Sequence, residues 1–146
     1  MFREAGAADF ARVMQLYREL HPGDPIVADE RAQAVYDEIL ATPGMRLFLL
    51  EDDGVAIAST YLNIIPNLTR GAAPYGVVEN VIVAAARRGT GVGKAVMAGT
   101  LQAAWDAGCY KVMLLTGSKR ESTHAYYRAC GFVADEKTGF VARRPS

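Results

Sequence analysis

Arg88-Gly89-Thr90-Gly91-Val92-Gly93-Lys94 decides how this chain is read. An apolar, β-branched run at residues 77–83 leads into it, and a run of helical character, 95–107, follows. Glycines at alternate positions let a backbone turn tightly and let a ligand approach with no Cβ in the way. A helix that begins here carries amides with no intrahelical acceptor, and its aligned peptide dipoles put partial positive charge at the same point. Strand, glycine turn and helix start together suit phosphate, and point to a diphosphate-bearing cofactor.

Spacing separates the known phosphate loops. The dinucleotide fingerprint G-x-G-x-x-G fails in both frames, because its sixth position is Lys94 counted from Gly89 and Val96 counted from Gly91. The nucleoside-triphosphate loop fails as well, with Arg88 where its first Gly belongs and Ala95 where it needs Ser or Thr. What remains is R-x-x-G-x-G on Arg88, Gly91 and Gly93, which resembles the acyl-coenzyme A pyrophosphate loop of the GCN5-related N-acetyltransferase (GNAT) family. His124-Ala125-Tyr126-Tyr127-Arg128-Ala129-Cys130-Gly131-Phe132 resembles a later helix of that family, A-x-x-F-Y-x-x-x-G-F. Gly131 also makes sense alone, as the left-handed residue after a helix with Phe132 as its apolar contact. A ligand-free glycine turn and a helix packing two tyrosines would explain each stretch singly, but not the agreement in their spacing. The resemblance is close over residues 77–132 and only architectural before them.

The chain has 146 residues and is 51% hydrophobic, which suits one domain, 1–146, with a sizeable core. Its formal net charge is zero, so no global field favours nucleic acid or an anionic membrane, and neither partner is expected. Arg87, Arg88 and Lys94 form a local basic cluster, read either as a solvated helix start or as a contact to a pyrophosphate or 3′-phosphate. Cys109 and Cys130 lie far apart and form no CxxC, which suggests reduced, structural thiols. The N-terminus lacks the basic-then-apolar pattern of a signal peptide, and the apolar stretch 55–65 is too short to span a bilayer. A cytoplasmic protein is expected. HExxH, GxSxG and Cys/His clusters of ligand spacing are missing, so no metal is expected.

Working outward, residues 2–5 suit a strand, and Asp9 suits the cap of a helix with Phe10, Val13, Met14, Tyr17 and Leu20 at helical spacing. Residues 21–25 break it, and a second helix over 29–40 carries Ala32, Val35, Tyr36 and Ile39 on one face. Strands 47–51 and 55–65 flank Asp52-Asp53-Gly54, a strong hairpin signal. A loop over 66–74 and a strand over 75–83 lead to the glycine turn and its helix, which ends at Gly108. A strand over 111–116, a helix over 122–130, and a strand through Phe132-Val133, with another near 140–142, complete the order β-α-α-β-β-β-α-β-α-β. Middle hairpins and late crossovers imply a single-domain α/β fold with a mixed, mostly antiparallel sheet and helices on both faces. This is also the architecture of the resembled family.

The resemblance implies acetyl-CoA as cosubstrate and a chemistry in three parts. Main-chain groups of Val81, Ile82 and Val83 would pair with the pantetheine arm. Arg88, Gly89, Thr90, Gly91, Val92, Gly93 and Lys94 would hold the pyrophosphate. An acceptor amine with a pKa of ~10 costs roughly 4 kcal/mol to deprotonate at neutral pH without help. Glu79, acidic within the apolar run Val77-Val78-Glu79-Asn80-Val81, is the candidate base, directly or through water, and burial would make it a better one. The plain alternative is a Glu facing solvent at a strand edge. His124 is the reserve candidate. Tyr127 is assigned by the resemblance as the acid that protonates the departing thiolate, a phenol and a thiol being closely matched in pKa. Tyr126 should turn into packing. Where the family often keeps an Asn against the pantetheine, this chain has Gly117-Ser118-Lys119-Arg120-Glu121, leaving Arg120 or Ser118 as substitutes.

The expected function is therefore transfer of acetyl from acetyl-CoA to a primary amine of a small molecule, by direct attack in a ternary complex. The alternatives are a protein or peptide N-acetyltransferase and a noncatalytic acyl-CoA sensor, against which the pair Glu79 and Tyr127 argues. Selectivity should reside in the front half, in the two helices, the connection 21–29 and the loop 66–74. Asp24, Asp29 and Glu30 suit a cationic amine and a solvated loop equally. Glu79-Asn80-Val81-Ile82-Val83 and Cys109-Tyr110-Lys111-Val112 are similar to stretches of glucosamine-6-phosphate N-acetyltransferases, though segments this short carry little about substrate. A homodimer through sheet edges is open.

Overall fold

The computed structural model describes residues 1–146. Internal contacts divide the chain into two units, Met1–Leu114 and Leu115–Ser146.

The first unit holds strands β1 (Phe2–Glu4), β2 (Met45–Asp52), β3 (Val55–Ile65), β4 (Tyr75–Val83) and β5 (Val112–Met113), with helices α1 (Phe10–Leu20), α2 (Glu30–Ala41) and α3 (Val92–Asp106). The sheet runs β1-β2-β3-β4-β5, antiparallel except for the parallel pair β4–β5. The expected hairpin forms: Asp52 pairs with Val55, and Asp53 and Gly54 take φ of 48° and 75°, the two positive values of a type I′ turn.

Alternation along the strands sorts the core into two layers. Leu47 and Leu49 of β2 and Ile82 of β4 join Val13, Leu16 and Tyr36 on the α1/α2 side. On the opposite face Thr60 meets Thr100 of α3, both fully buried, with 2.6 Å between their hydroxyl oxygens. Thr100 Oγ1 donates to Val96 O at 2.7 Å, so the Thr60 hydroxyl is the donor between them, and a buried polar pair ties α3 to the sheet.

Asp9 sits at the N-cap position of α1 but does not cap it with its side chain. Its buried carboxylate instead accepts from Arg3 Nη1 and Nη2 at 2.7 and 2.8 Å and from Gly6 N at 2.8 Å. Arg3 also reaches Glu51 at 2.7 Å, so one guanidinium joins β1, the turn before α1 and β2. The Arg3 hydrogen bonds hold the Asp9 carboxyl down at about 2 from an ordinary 3.8, against the opposing effect of burial. A lowered folded-state value contributes stability above the unfolded value and loses it as pH falls through the folded one. Asp9→Asn should therefore cost about 2 kcal/mol at neutral pH, with the difference from the parent shrinking between about pH 4 and pH 2. Urea titrations at pH 7 and pH 3 check this, and an unchanged gap at the two pH values would contradict it.

The second unit contains α4 (Glu121–Ala129). It ends as its sequence implies. Gly131, at φ 98°, donates to Arg128 O at 2.9 Å, and Phe132 N donates to Tyr127 O at 3.1 Å. The Phe132 ring meets the Tyr127 ring edge-on at 6.0 Å between centroids, completing a Schellman motif with its apolar contact.

Three expectations are corrected. α3 begins at Val92 rather than 95, so Val92, Gly93 and Lys94 form its first turn. The strand expected over 111–116 is only Val112–Met113. The strands expected at Phe132-Val133 and 140–142 do not form, so the order ends at α4. Val133, Phe140 and Val141 are exposed, and apolar character without a ladder partner does not make a strand. No helix is long and apolar enough to cross a membrane.

Candidate active site

The site in the first unit is built on β4. Its register with β3 is regular at Tyr61↔Glu79 and resumes at Ser59↔Ile82, so Asn80 and Val81 stand against one residue, Thr60. This is a β-bulge, and Asn80 absorbs it in the left-handed region at φ 51°, which Asn tolerates better than most residues. On the other edge β5 pairs only with Gly76 and Val77. From Val78 to Val83 that edge has no ladder partner, the kind of edge to which an extended chain can add as a further strand.

β4 delivers this edge to the glycine turn. Gly89 and Gly91 take φ of 74° and 85°, and a Cβ on either would meet no protein atom within 4 Å. The first i to i−4 bond of α3 runs from Ala95 N to Gly91 O at 3.1 Å, so the amides before it belong to an open helix start. Arg88 Nε donates to Val83 O at 3.3 Å, and Thr90 Oγ1 donates to Arg87 O, bracing the turn from within. Arg87 is engaged by Asp52 at 2.6 Å, whereas Lys94 is exposed and makes no ion pair. An unpaired strand edge running into an uncrowded, dipole-positive turn fits an extended arm ending in a diphosphate, as coenzyme A does.

Glu79 is exposed on β4, as the plain alternative of a solvent-facing Glu has it. Its position is nonetheless informative. Its cross-strand partner Tyr61 and its neighbour Asn80 both line a cavity of about 320 Å3 bounded by α1, α2 and the sheet.

Tyr127, Tyr126, His124 and Arg120 belong to the second unit. Tyr126 and Tyr127 lie 4.9 Å apart between ring centroids. Burial, with Cys130 alongside, pushes the Tyr126 hydroxyl well above the usual phenol range, in keeping with a packing role. His124 Nε2 lies 2.7 Å from Ser118 O. A carbonyl only accepts, so Nε2 is the donor and that nitrogen is not available as a base. Arg120 is exposed and caps α4 without a side-chain bond. Ser118 is the better connected of the two substitutes: its Oγ accepts from Arg120 N at 3.3 Å and bonds Thr123 Oγ1 at 3.0 Å.

Residues 10–132 match the model of the acetyltransferase (GNAT) family, a span that includes the β4 bulge, the glycine turn and Tyr127. The chain belongs to that family. A solved structure from Agrobacterium tumefaciens str. C58, provisionally assigned as an acetyltransferase, is 44% identical with a TM-score of 0.94, covering 99% of each chain. A probable glucosamine 6-phosphate N-acetyltransferase of Oryza sativa subsp. japonica is 33% identical over 123 residues, 81% of this chain and 72% of the relative. A type 1 aminoglycoside N(6')-acetyltransferase of Stenotrophomonas maltophilia is 27% identical over 137 residues, 92% of this chain and 87% of the relative. This GNAT protein is an acetyl-CoA-dependent N-acetyltransferase with an α/β fold and a mostly antiparallel sheet.

The cavity and the Asn80 bulge were not foreseen. The bulge left a trace in the sequence, because Asn is depleted in strand interiors and favoured where φ is positive.

Proposed function

We propose that the whole chain, 1–146, acts as one acyltransferase domain that moves acetyl from acetyl-CoA to a primary amine of a small molecule, by direct attack within a ternary complex. The observation that carries this reading is β4 itself. One strand joins an edge suited to pantetheine, a turn suited to pyrophosphate, and a carboxylate beside a cavity. The relatives named for glucosamine 6-phosphate and for aminoglycosides, both small amines, support a small-molecule acceptor.

Acetyl-CoA, when bound, supplies a thioester whose carbonyl carbon accepts the amine and whose sulfur departs. Main-chain groups of Val81, Ile82 and Val83 align its arm, and Gly89 to Lys94 hold its phosphates, with Arg88 bracing the turn. Glu79 takes the proton that the amine nitrogen loses as the new C–N bond forms, directly or through water. Tyr127 gives a proton to the sulfur as the C–S bond breaks. Charges and protons then balance: one proton leaves nitrogen, one reaches sulfur.

The test is free-thiol release from acetyl-CoA against a panel of small amines, peptides and protein lysines. Release with small amines alone is expected, and release only with peptides would overturn the acceptor class. Clear CoA binding without release for any amine would mean a sensor. Glu79→Gln should lower kcat/KM at pH 7 by at least tenfold and move the pH–rate profile upward, towards the amine's own deprotonation. An unchanged profile would remove Glu79 from proton transfer.

A further inference from the structure

The cavity beside Glu79 has walls that do not match the polar acceptors named for the relatives. Its volume is about 320 Å3, within the range of small-molecule pockets. Phe10 and Tyr17 of α1, Tyr36 of α2 and Tyr61 of β3 contribute four aromatic rings, and Val13 and Ile39 add aliphatic surface. The polar groups are few, and two of them are already committed. Tyr36 donates its hydroxyl to Gly6 O at 2.7 Å, and Asp29 caps α2 by accepting from Ala32 N at 2.9 Å. Burial, partly offset by a hydrogen bond to Asn80, pushes the Tyr17 hydroxyl up to about 12, so it stays protonated at working pH. That leaves the Tyr17 and Tyr61 hydroxyls and Asn80 on the sheet side, and the exposed Arg31 and second Asp29 carboxylate oxygen at the α2 end.

A phosphosugar or an aminoglycoside entering this space would bury several hydroxyls against rings and methyls. Each polar group left there without a partner loses its hydrogen bonds to water with nothing in exchange. A ring on a short aminoalkyl arm has the opposite balance. A cavity of about 150 Å3 suffices for benzene, so this one holds an aromatic ring with room for the arm. Aromatic faces also attract the ammonium form as it arrives, before its proton is taken. Asn80 completes the geometry, since the cavity ends on the bulge of the strand that carries Glu79 and continues to Val81.

We infer that this cavity is the acceptor pocket and that it selects primary amines carried on an aromatic or other apolar body, over sugar phosphates and aminoglycosides. The inference rests on the proposed acetyl transfer for its chemistry, but the pocket is testable without it. Thiol release from acetyl-CoA by the full chain would be compared for 2-phenylethylamine, glucosamine 6-phosphate and kanamycin. In parallel, calorimetry with CoA present would measure 2-phenylethylamine binding to the parent and to Ala32→Phe and Val35→Phe, two substitutions that place a ring into the cavity from α2. The expected result is kcat/KM at least twentyfold higher for 2-phenylethylamine than for either sugar. Its affinity should fall at least tenfold in whichever filled variant stays folded, while CoA affinity changes less than twofold. Saturable, variant-sensitive 2-phenylethylamine binding without thiol release would uphold the pocket and remove the proposed transfer. Release with either sugar but no 2-phenylethylamine binding, or binding indifferent to both substitutions, would overturn the pocket and leave the transfer standing.

Discussion

Gly91→Val is expected to weaken acetyl-CoA binding at least thirtyfold in a protein that still folds. Gly91 caps α3 with φ of 85°, a conformation that costs a side-chain-bearing residue about 1–2 kcal/mol. No protein atom lies within 4 Å of where its Cβ would stand, so the fold faces backbone strain and no collision. The domain should keep its secondary structure and lose only several degrees of Tm. Ligand binding should suffer far more. In the proposed function the turn brings main-chain N–H groups against phosphate, and a β-branched side chain both fills the approach and drives φ towards negative values. A hydrogen bond to a charged group is worth about 1.5–3 kcal/mol, and a thirtyfold loss corresponds to about 2 kcal/mol, so the forecast asks for the loss of a single such bond. Calorimetric titration with CoA, alongside circular dichroism, reads both quantities. Undiminished affinity in a folded variant would mean that phosphate is held elsewhere, and the account of residues 89–94 would fail.

The residues that could be read correctly in advance are those whose conformation follows from local chemistry. Asp53-Gly54 forms its turn because both residues accept positive φ, and Gly131-Phe132 closes α4 because only the next turn of the helix has to cooperate. Misreadings arise where a distant partner decides. Asp9 has the composition of a cap, yet the Arg3 guanidinium from β1 offers two charge-assisted bonds and claims its carboxylate. Leu115, Phe140 and Val141 have the apolar character of strands but stay exposed, since a strand exists only when another edge meets it. The glycine turn between strand and helix was legible because it occupies consecutive residues. The cavity was not, because its rings come from α1, α2 and β3, and their convergence is a property of packing. Glu79 falls between these cases: its place on the strand was read correctly, while its exposure, which depends on what covers the strand, was left between two alternatives.

Tyr127→Phe should lower turnover by at least tenfold while acetyl-CoA affinity stays within about twofold, because the change removes the proposed proton donor and keeps the ring. General acid catalysis is typically worth about 10²–10⁴ in rate. The retained ring is what makes the experiment clean. Tyr127 holds the third position from the end of α4, where its carbonyl accepts from Phe132 N and its ring receives the edge of Phe132. Phenylalanine preserves both contacts, so the Schellman closure survives and a fall in rate cannot be ascribed to an unravelled helix. Without a donor the sulfur must leave as a thiolate, whose protonated form has a pKa of about 8.5, so the deficit should be largest for CoA and smaller for a thioester with a more acidic thiol. That leaving-group dependence separates acid catalysis from a general loss of geometry, which would slow both thioesters equally. Turnover indistinguishable from the parent with acetyl-CoA would strike Tyr127 from the mechanism and leave protonation of the sulfur to water.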